Sequence, residues 1–229
     1  MRRTGLWAAA AAIAVTVTGC SKTEGTKPDE TPSATVGTGG AGANLGDEDF
    51  VRDVALKNLS AIELSRLALN KTADPDIKSF AQRVIEDHGA AADKLKSAVS
   101  GQPVEWPVQL DDEHGETAEE LAQKQGADFD RDYLEAMVEG QQNLAAKLES
   151  RLDVQSLADW KTEAAGRTDS KALPEPTTAM RDVQVRPNTS DNAATMKVNQ
   201  WAAETYPLAQ KHLDTARRLE TAAKKRSTN

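Results

Sequence analysis

Four polar side chains fall inside apolar stripes of this chain: a carboxylate at Glu63, imidazoles at His88 and His212, and an amide at Gln141. Carboxylates and imidazoles that project inward from facing helices are how carboxylate bundles hold iron or manganese. A divalent metal held by Glu63, His88 and His212, with Gln141 beside them, is the sharpest chemistry these residues offer. The spacing argues against it. Di-iron bundles carry a Glu three residues before a His on two helices, and here Ile85 precedes His88 and Ala209 precedes His212 at that distance. The alternative is a polar layer in a core, with Glu63 paired to Arg83 or accepting from Tyr133 and each histidine bonded to a neighbour. A buried polar group left unpaired costs about 1–3 kcal/mol. No Ser-His-Asp or Cys-His arrangement and no glycine-rich phosphate loop is visible, so no catalytic residue and no cofactor is assigned.

Height along the helices separates these groups further. Counted from the turn near Ala73, Glu63 lies ten residues back and His88 fifteen residues forward. At about 1.5 Å per residue, that offsets their backbones by roughly 7 Å in an antiparallel pair. The residue level with Glu63 is Arg83. His114, in Asp111-Asp112-Glu113-His114, reads as solvated surface that holds a cation weakly at most.

Helices must position these residues. The first is expected over 47–71, N-capped by Asp47, with Glu48 and Asp49 at the positive end of its dipole and Leu56, Leu59, Glu63 and Leu67 in one stripe. Asp74 and Pro75 open the second, over 75–100, with Ile77, Ala81, Val84, His88, Ala91 and Leu95 on one face and Gly101 at its end. A shorter helix is expected over 112–124, closed by Gly126. The third long helix, 128–154, aligns Tyr133, Met137, Gln141, Leu144 and Leu148. The pattern fails over about 160–190, a stretch too long for an ordinary loop, within which Met180 to Val185 can order against the bundle. The last helix, 191–224, carries Trp201, Leu208, His212 and Leu219 inward and contains Pro207, where a kink is expected. Trp106, Trp160 and Trp201 are expected to close the ends of the domain. Matched helix lengths with one stripe each predict an all-α, up-down-up-down four-helix bundle with a long insertion before the last helix.

Residues 1–19 read as a secretory signal. Arg2 and Arg3 precede an apolar run from Leu6 to Val17, too short to span a membrane, and Val17-Thr18-Gly19-Cys20 closes it. The ending resembles the lipobox of bacterial lipoproteins, which implies cleavage before Cys20 and lipidation of its sulfur. Cys20 is the sole cysteine, so no intrachain disulfide can form. Residues 20–46, rich in Ser, Thr, Gly and Pro, are expected to be a lipidated, disordered tether with a reach of roughly 28 Å. Residues 47–225 would form the bundle, with 161–190 as the insertion and 226–229 as a disordered tail. The expected place is the extracytoplasmic face of the cell envelope, anchored to the membrane through the N-terminal lipid. A net charge of −8 argues against nucleic-acid partners, which require clustered cations.

Several local motifs together resemble the bacterial domain-of-unknown-function family 4142. They are Ile62-Glu63-Leu64, Lys78-Ser79-Phe80-Ala81, Asp87-His88, Phe129-Asp130-Arg131 with Tyr133-Leu134, and Thr205-Tyr206-Pro207 with His212-Leu213. The resemblance covers about 50–223 and implies a ferritin-like bundle of the envelope with no established activity. It also marks a departure: the position of Gln141 is commonly histidine in that family, and an amide is a poor ligand for a divalent transition metal. The functional expectation is a non-enzymatic, membrane-tethered interaction or stress-related protein. The alternative is a metal- or small-ligand-binding bundle that uses inward His and Glu residues.

Overall fold

A computed structural model describes residues 45–166 and 184–227. The expectations for the signal, for lipidated Cys20 and for the tether up to residue 44 lie outside the described residues. Six helices are present among the described residues: α1 (Leu45–Lys71), α2 (Pro75–Ala98), α3 (Asp112–Gln123), α4 (Gly126–Glu149), α5 (Val154–Ala165) and α6 (Ala193–Ser227). The four long ones, α1, α2, α4 and α6, pack as an all-α bundle, as the periodicity requires.

Helix direction departs from the expected up-down-up-down order. Asp53 meets Lys147 at 2.7 Å and Ser65 meets Tyr133 at 3.0 Å, so α1 and α4 are antiparallel. Phe80 faces Tyr133, with ring centroids 6.4 Å apart, and His88 meets Gln141 at 3.0 Å, so α2 and α4 are parallel. Lys94 meets Glu204 at 3.6 Å, and the His88 and His212 rings lie 5.5 Å apart, so α6 opposes α2. The chain order is therefore up, down, down, up. The physical reason is the 99–125 connection, which is no tight turn: Pro103 and Pro107 keep its first part extended, and α3 then carries the chain back to the end where α2 began. There Lys71 Nζ donates to the Lys124 carbonyl at 2.8 Å.

Local boundaries follow side-chain chemistry. Asp74 caps α2 by accepting from the Asp76 and Ile77 amides at 2.8 and 3.3 Å, while Pro75 occupies the first turn. Asp111 caps α3 through the His114 amide at 3.0 Å. Gly126, at φ +55°, begins α4 rather than ending α3. Asp47 does not cap α1. It lies inside the first turn and is 1% exposed.

The expected helix over 128–154 stops at Glu149, because the chain turns at 150–153 and Asp153 caps a further helix, α5. The 161–190 insertion is accordingly not all loop. Residues 161–165 finish α5, and 184–190 pack back, with Leu152 bridging Pro187 and Val185 buried in the core. Residues 180–183 lie outside the described residues. Helix α6 passes through Pro207 without interruption and includes Arg226 and Ser227, placed in the tail by the sequence reading.

Two apolar clusters fill the bundle. One joins Val54, Ala91, Leu144 and Ala209; the other joins Ala61, Val84, Met137 and Ala216. On every long helix one polar residue lies between the two clusters: Asn58 on α1, His88 on α2, Gln141 on α4 and His212 on α6.

Candidate functional site

The helix phases bring that polar layer together. His88, Gln141 and His212 are 2%, 1% and 1% exposed, as their positions in the stripes predict. Glu63 is not among them. It is half-buried on the outer side of α1, and its Oε1 accepts from Arg66 Nη1 at 2.6 Å, so its expected pairing with Arg83 or Tyr133 is corrected. Tyr133 instead shares a hydrogen bond with Ser65. The error is one of phase. Leu56, Leu59 and Leu67 form an apparent stripe but are only half-buried, whereas the core face of α1 runs through Val54, Asn58, Ala61, Ser65 and Ala68. Small and polar residues on the inner face hid it beneath larger leucines on the flank.

Asn58 is the member that sequence reasoning missed, and a signal for it existed. Counting fifteen residues back from Ala73 lands on Asn58, level with His88. The structure places Asn58 Oδ1 2.7 Å from His88 Nδ1, and Gln141 Nε2 3.0 Å from His88 Nε2. The Gln141 amide nitrogen can only donate, so His88 Nε2 accepts and its proton sits on Nδ1, which donates to Asn58. Both ring nitrogens of a neutral imidazole are thereby used. Burial, reinforced by the nearby His212, pushes the His88 pKa from 6.5 down to about 3.

His212 lies against both His88 and the Phe80 ring, with centroids 5.9 Å apart in the latter case. Its Nε2 is 3.0 Å from Asp87 Oδ2, but off the direction that would make a well-formed hydrogen bond, so the buried nitrogen has proximity without a directed partner. Burial first, then the charges of Lys211 and Arg83, lower the His212 pKa to about 4. At neutral pH the contact is therefore between a carboxylate and a neutral ring, not an ion pair. Burial also raises Asp87, against the pull of Lys211 and Arg83.

Two amide atoms of the layer, Asn58 Nδ2 and Gln141 Oε1, are buried without a partner. The assembled group is two imidazoles and two amides, and the expected quartet containing Glu63 does not form. Among the described residues no three His, Cys, Asp or Glu side chains gather in metal-binding range.

Other polar residues act structurally. Arg151 of the turn after α4 and Thr195 of α6 both donate to buried Asp47, and the Arg151 guanidinium lies 4.3 Å from the Phe50 ring centroid. His114 folds back on Asp111, with Nδ1 at 2.5 Å from its carboxylate, instead of standing free in solvent. Trp201 is not an end-closing residue. It is 3% exposed in the core, and its Nε1 donates to the Ala91 carbonyl at 2.8 Å.

Fold and site together define a helical bundle whose two-part apolar core is divided by a closed polar layer. The chain belongs to the family described as Domain of unknown function (DUF4142), whose model matches residues 32–169, more than half of the sequence. The matched span includes α1 to α5 and stops before α6, so the Thr205-Tyr206-Pro207 and His212-Leu213 motifs lie outside it. No curated protein and no solved structure matches the chain.

Proposed function

We propose that this chain is a membrane-tethered helical bundle of the bacterial cell envelope, an interaction or stress-related protein without catalysis. The supporting observation is the commitment of His88. Its two ring nitrogens are bonded to Asn58 and Gln141 inside the core, and its lowered pKa keeps it neutral, so it has neither a free lone pair for a ligand nor access to a substrate proton. A metal reading of the same layer requires His88 to give up one of those amides. The tether rests on the Val17-Thr18-Gly19-Cys20 ending and the polar stretch that follows it. The single long crossover between α2 and α4 is also the connectivity of ferritin-like folds, which fits the bundle without supplying their ligands.

Two measurements test the reading. Membrane fractions should retain the full chain, with mass spectrometry finding acyl chains on Cys20, and Cys20→Ser should release it; a Cys20→Ser protein that stays in the membrane fraction defeats the tether. Purified protein should hold no stoichiometric metal, and iron, manganese, zinc or copper should leave its melting temperature unchanged. Stoichiometric metal with a melting temperature that falls on chelation defeats the structural account of the layer.

A further inference from the structure

Among the described residues two large apolar side chains stand exposed, Val108 at 91% and Val154 at 81%, and both lie at one end of the bundle. Val108 sits at the bend of the connection that follows α2, and shares a cleft with Asp49, Arg52 and Asp53 in the first turns of α1. Val154 opens α5, three residues after Arg151, which donates to Asp47 at the start of α1. Half-buried Trp106, Pro107 and Leu110 flank Val108. Trp106 packs on the core cluster that contains Phe50, and Lys96 Nζ lies 5.6 Å from its ring centroid. A tryptophan with a cation at its face, beside an exposed aliphatic side chain, is the composition found where protein meets a membrane interface. The opposite end, where α2 begins and α6 finishes, exposes no large apolar side chain among the described residues, and two of its cations, Lys224 and Arg226, are held by Glu220 and Asp74.

The N-terminal chain enters at the Val108 end. Leu45 begins α1, and residues 21–44, 24 in number, separate it from Cys20. A free chain of that length has an r.m.s. reach of roughly 27 Å, whereas α1, with 27 residues, is about 40 Å long. An anchor at Cys20 therefore favours contact of the Val108 end with the bilayer over contact of the far end. We propose that this end is a membrane-contacting surface, on which the loop from Trp106 to Leu110 and Val154 enter the interfacial region of the bilayer that holds the lipid anchor. The inference rests on the tethering reading and adds to it which face of the bundle meets lipid. Apolar burial drives the contact, not headgroup charge, because Glu105 and Asp111 border the loop and an anionic surface gains nothing from them. Isolated apolar residues are ordinary on a protein surface; Val108 and Val154 differ in standing together at the end the tether reaches.

Cys20 is the sole cysteine, so once acylated it leaves an introduced cysteine as the only thiol. The test spin-labels the acylated protein in phosphatidylcholine vesicles through Val108→Cys, through Val154→Cys or, at the opposite end, through Lys78→Cys on the exposed first turn of α2. Paramagnetic resonance then compares accessibility to oxygen, which partitions into lipid, with accessibility to a water-soluble nickel complex. Nickel accessibility at positions 108 and 154 should fall several-fold below that at position 78, while oxygen accessibility rises. All three positions are on the surface, so labelling them leaves the core intact. Shielding at position 108 without position 154 would confine the contact to the loop. A label at position 108 as open to nickel as that at position 78, or one shielded only when phosphatidylglycerol is added, overturns the proposal. Protein isolated from cells without acyl chains on Cys20 defeats the tether, whereas acylated protein with a water-exposed label at position 108 defeats this inference alone.

Discussion

Asn58 and His88 stand at equal distance from the Ala73 turn on antiparallel helices, and their side chains meet at 2.7 Å across it. That contact fixes the tautomer of His88 and, through Gln141, links α1, α2 and α4 in one hydrogen-bonded row between two apolar clusters.

If that row holds the centre of the bundle, Asn58→Ala should lower stability by about 1–3 kcal/mol, because it strands a buried imidazole donor. Glu63→Ala should change it by less than about 0.5 kcal/mol, since its Arg66 partner is a surface one. Urea unfolding of the two variants checks the contrast. Equal losses would mean that the layer has been placed on the wrong residues.

The histidines set a pH dependence. Above pH 6.5 both are neutral in the folded and the unfolded chain. Below it the unfolded chain takes protons that the folded chain refuses until about 4 at His212 and about 3 at His88. Stability should therefore fall as pH falls through that window, by up to about 1.4 kcal/mol per pH unit per histidine. Asp87, raised by burial, offsets part of this, since the folded chain takes its proton first. The urea midpoint should drop between about pH 7 and about pH 5, and drop less in His88→Gln with His212→Gln. A midpoint independent of pH over that range contradicts neutral, buried rings.

Buried Asp47 joins the start of α1 to the turn after α4 and the start of α6. Arg151→Met removes its guanidinium donor, which also packs on the Phe50 ring, while Thr195 still donates to Asp47, and should cost about 1–3 kcal/mol. Arg226 also reaches a carboxylate, Asp74 at 2.5 Å, but from a position 54% exposed, so Arg226→Met should cost no more than about 1 kcal/mol. Thermal and urea unfolding distinguish the two, and comparable losses would deny Asp47 its role.

Tyr133→Phe should cost about 1 kcal/mol by stranding the Ser65 hydroxyl, which is fully buried. Adding Ser65→Ala should recover part of the loss, because replacing both partners removes the unsatisfied group. A double variant that is less stable than the sum of the single ones would show that the pair is not isolated in this way.

Three stripes could be read directly. On α2 and α4 large apolar residues recur without rivals, so His88 and Gln141 were placed correctly by period alone, and His212 followed from Trp201 on α6. On α1 the rule of largest residues inward failed. Leu56, Leu59 and Leu67 lie half-buried on a flank, and at the layer the inner face uses Asn58, Ala61 and Ser65 alongside the larger Val54 and Leu64. Periodicity measures angle around a helix, and two faces that differ by a fraction of a turn compete when one is large and half-buried and the other small and buried. The helix break at 150–153 was missed for a related reason: Val154 continues the apolar pattern, although Asp153 is a cap.

The amino-acid sequence by itself determined the helical class, the approximate lengths of the long helices, the cap at Asp74 and three of the four layer positions, because all of these depend on local propensity and a 3.6-residue period. Tertiary structure alone decided the direction of α4, the bridge of Leu152 to Pro187, and the joining of Asp47 to Arg151 and Thr195. Each of these is a contact between segments distant in the chain. Local periodicity carries no information about which end of one helix a connection delivers to the next.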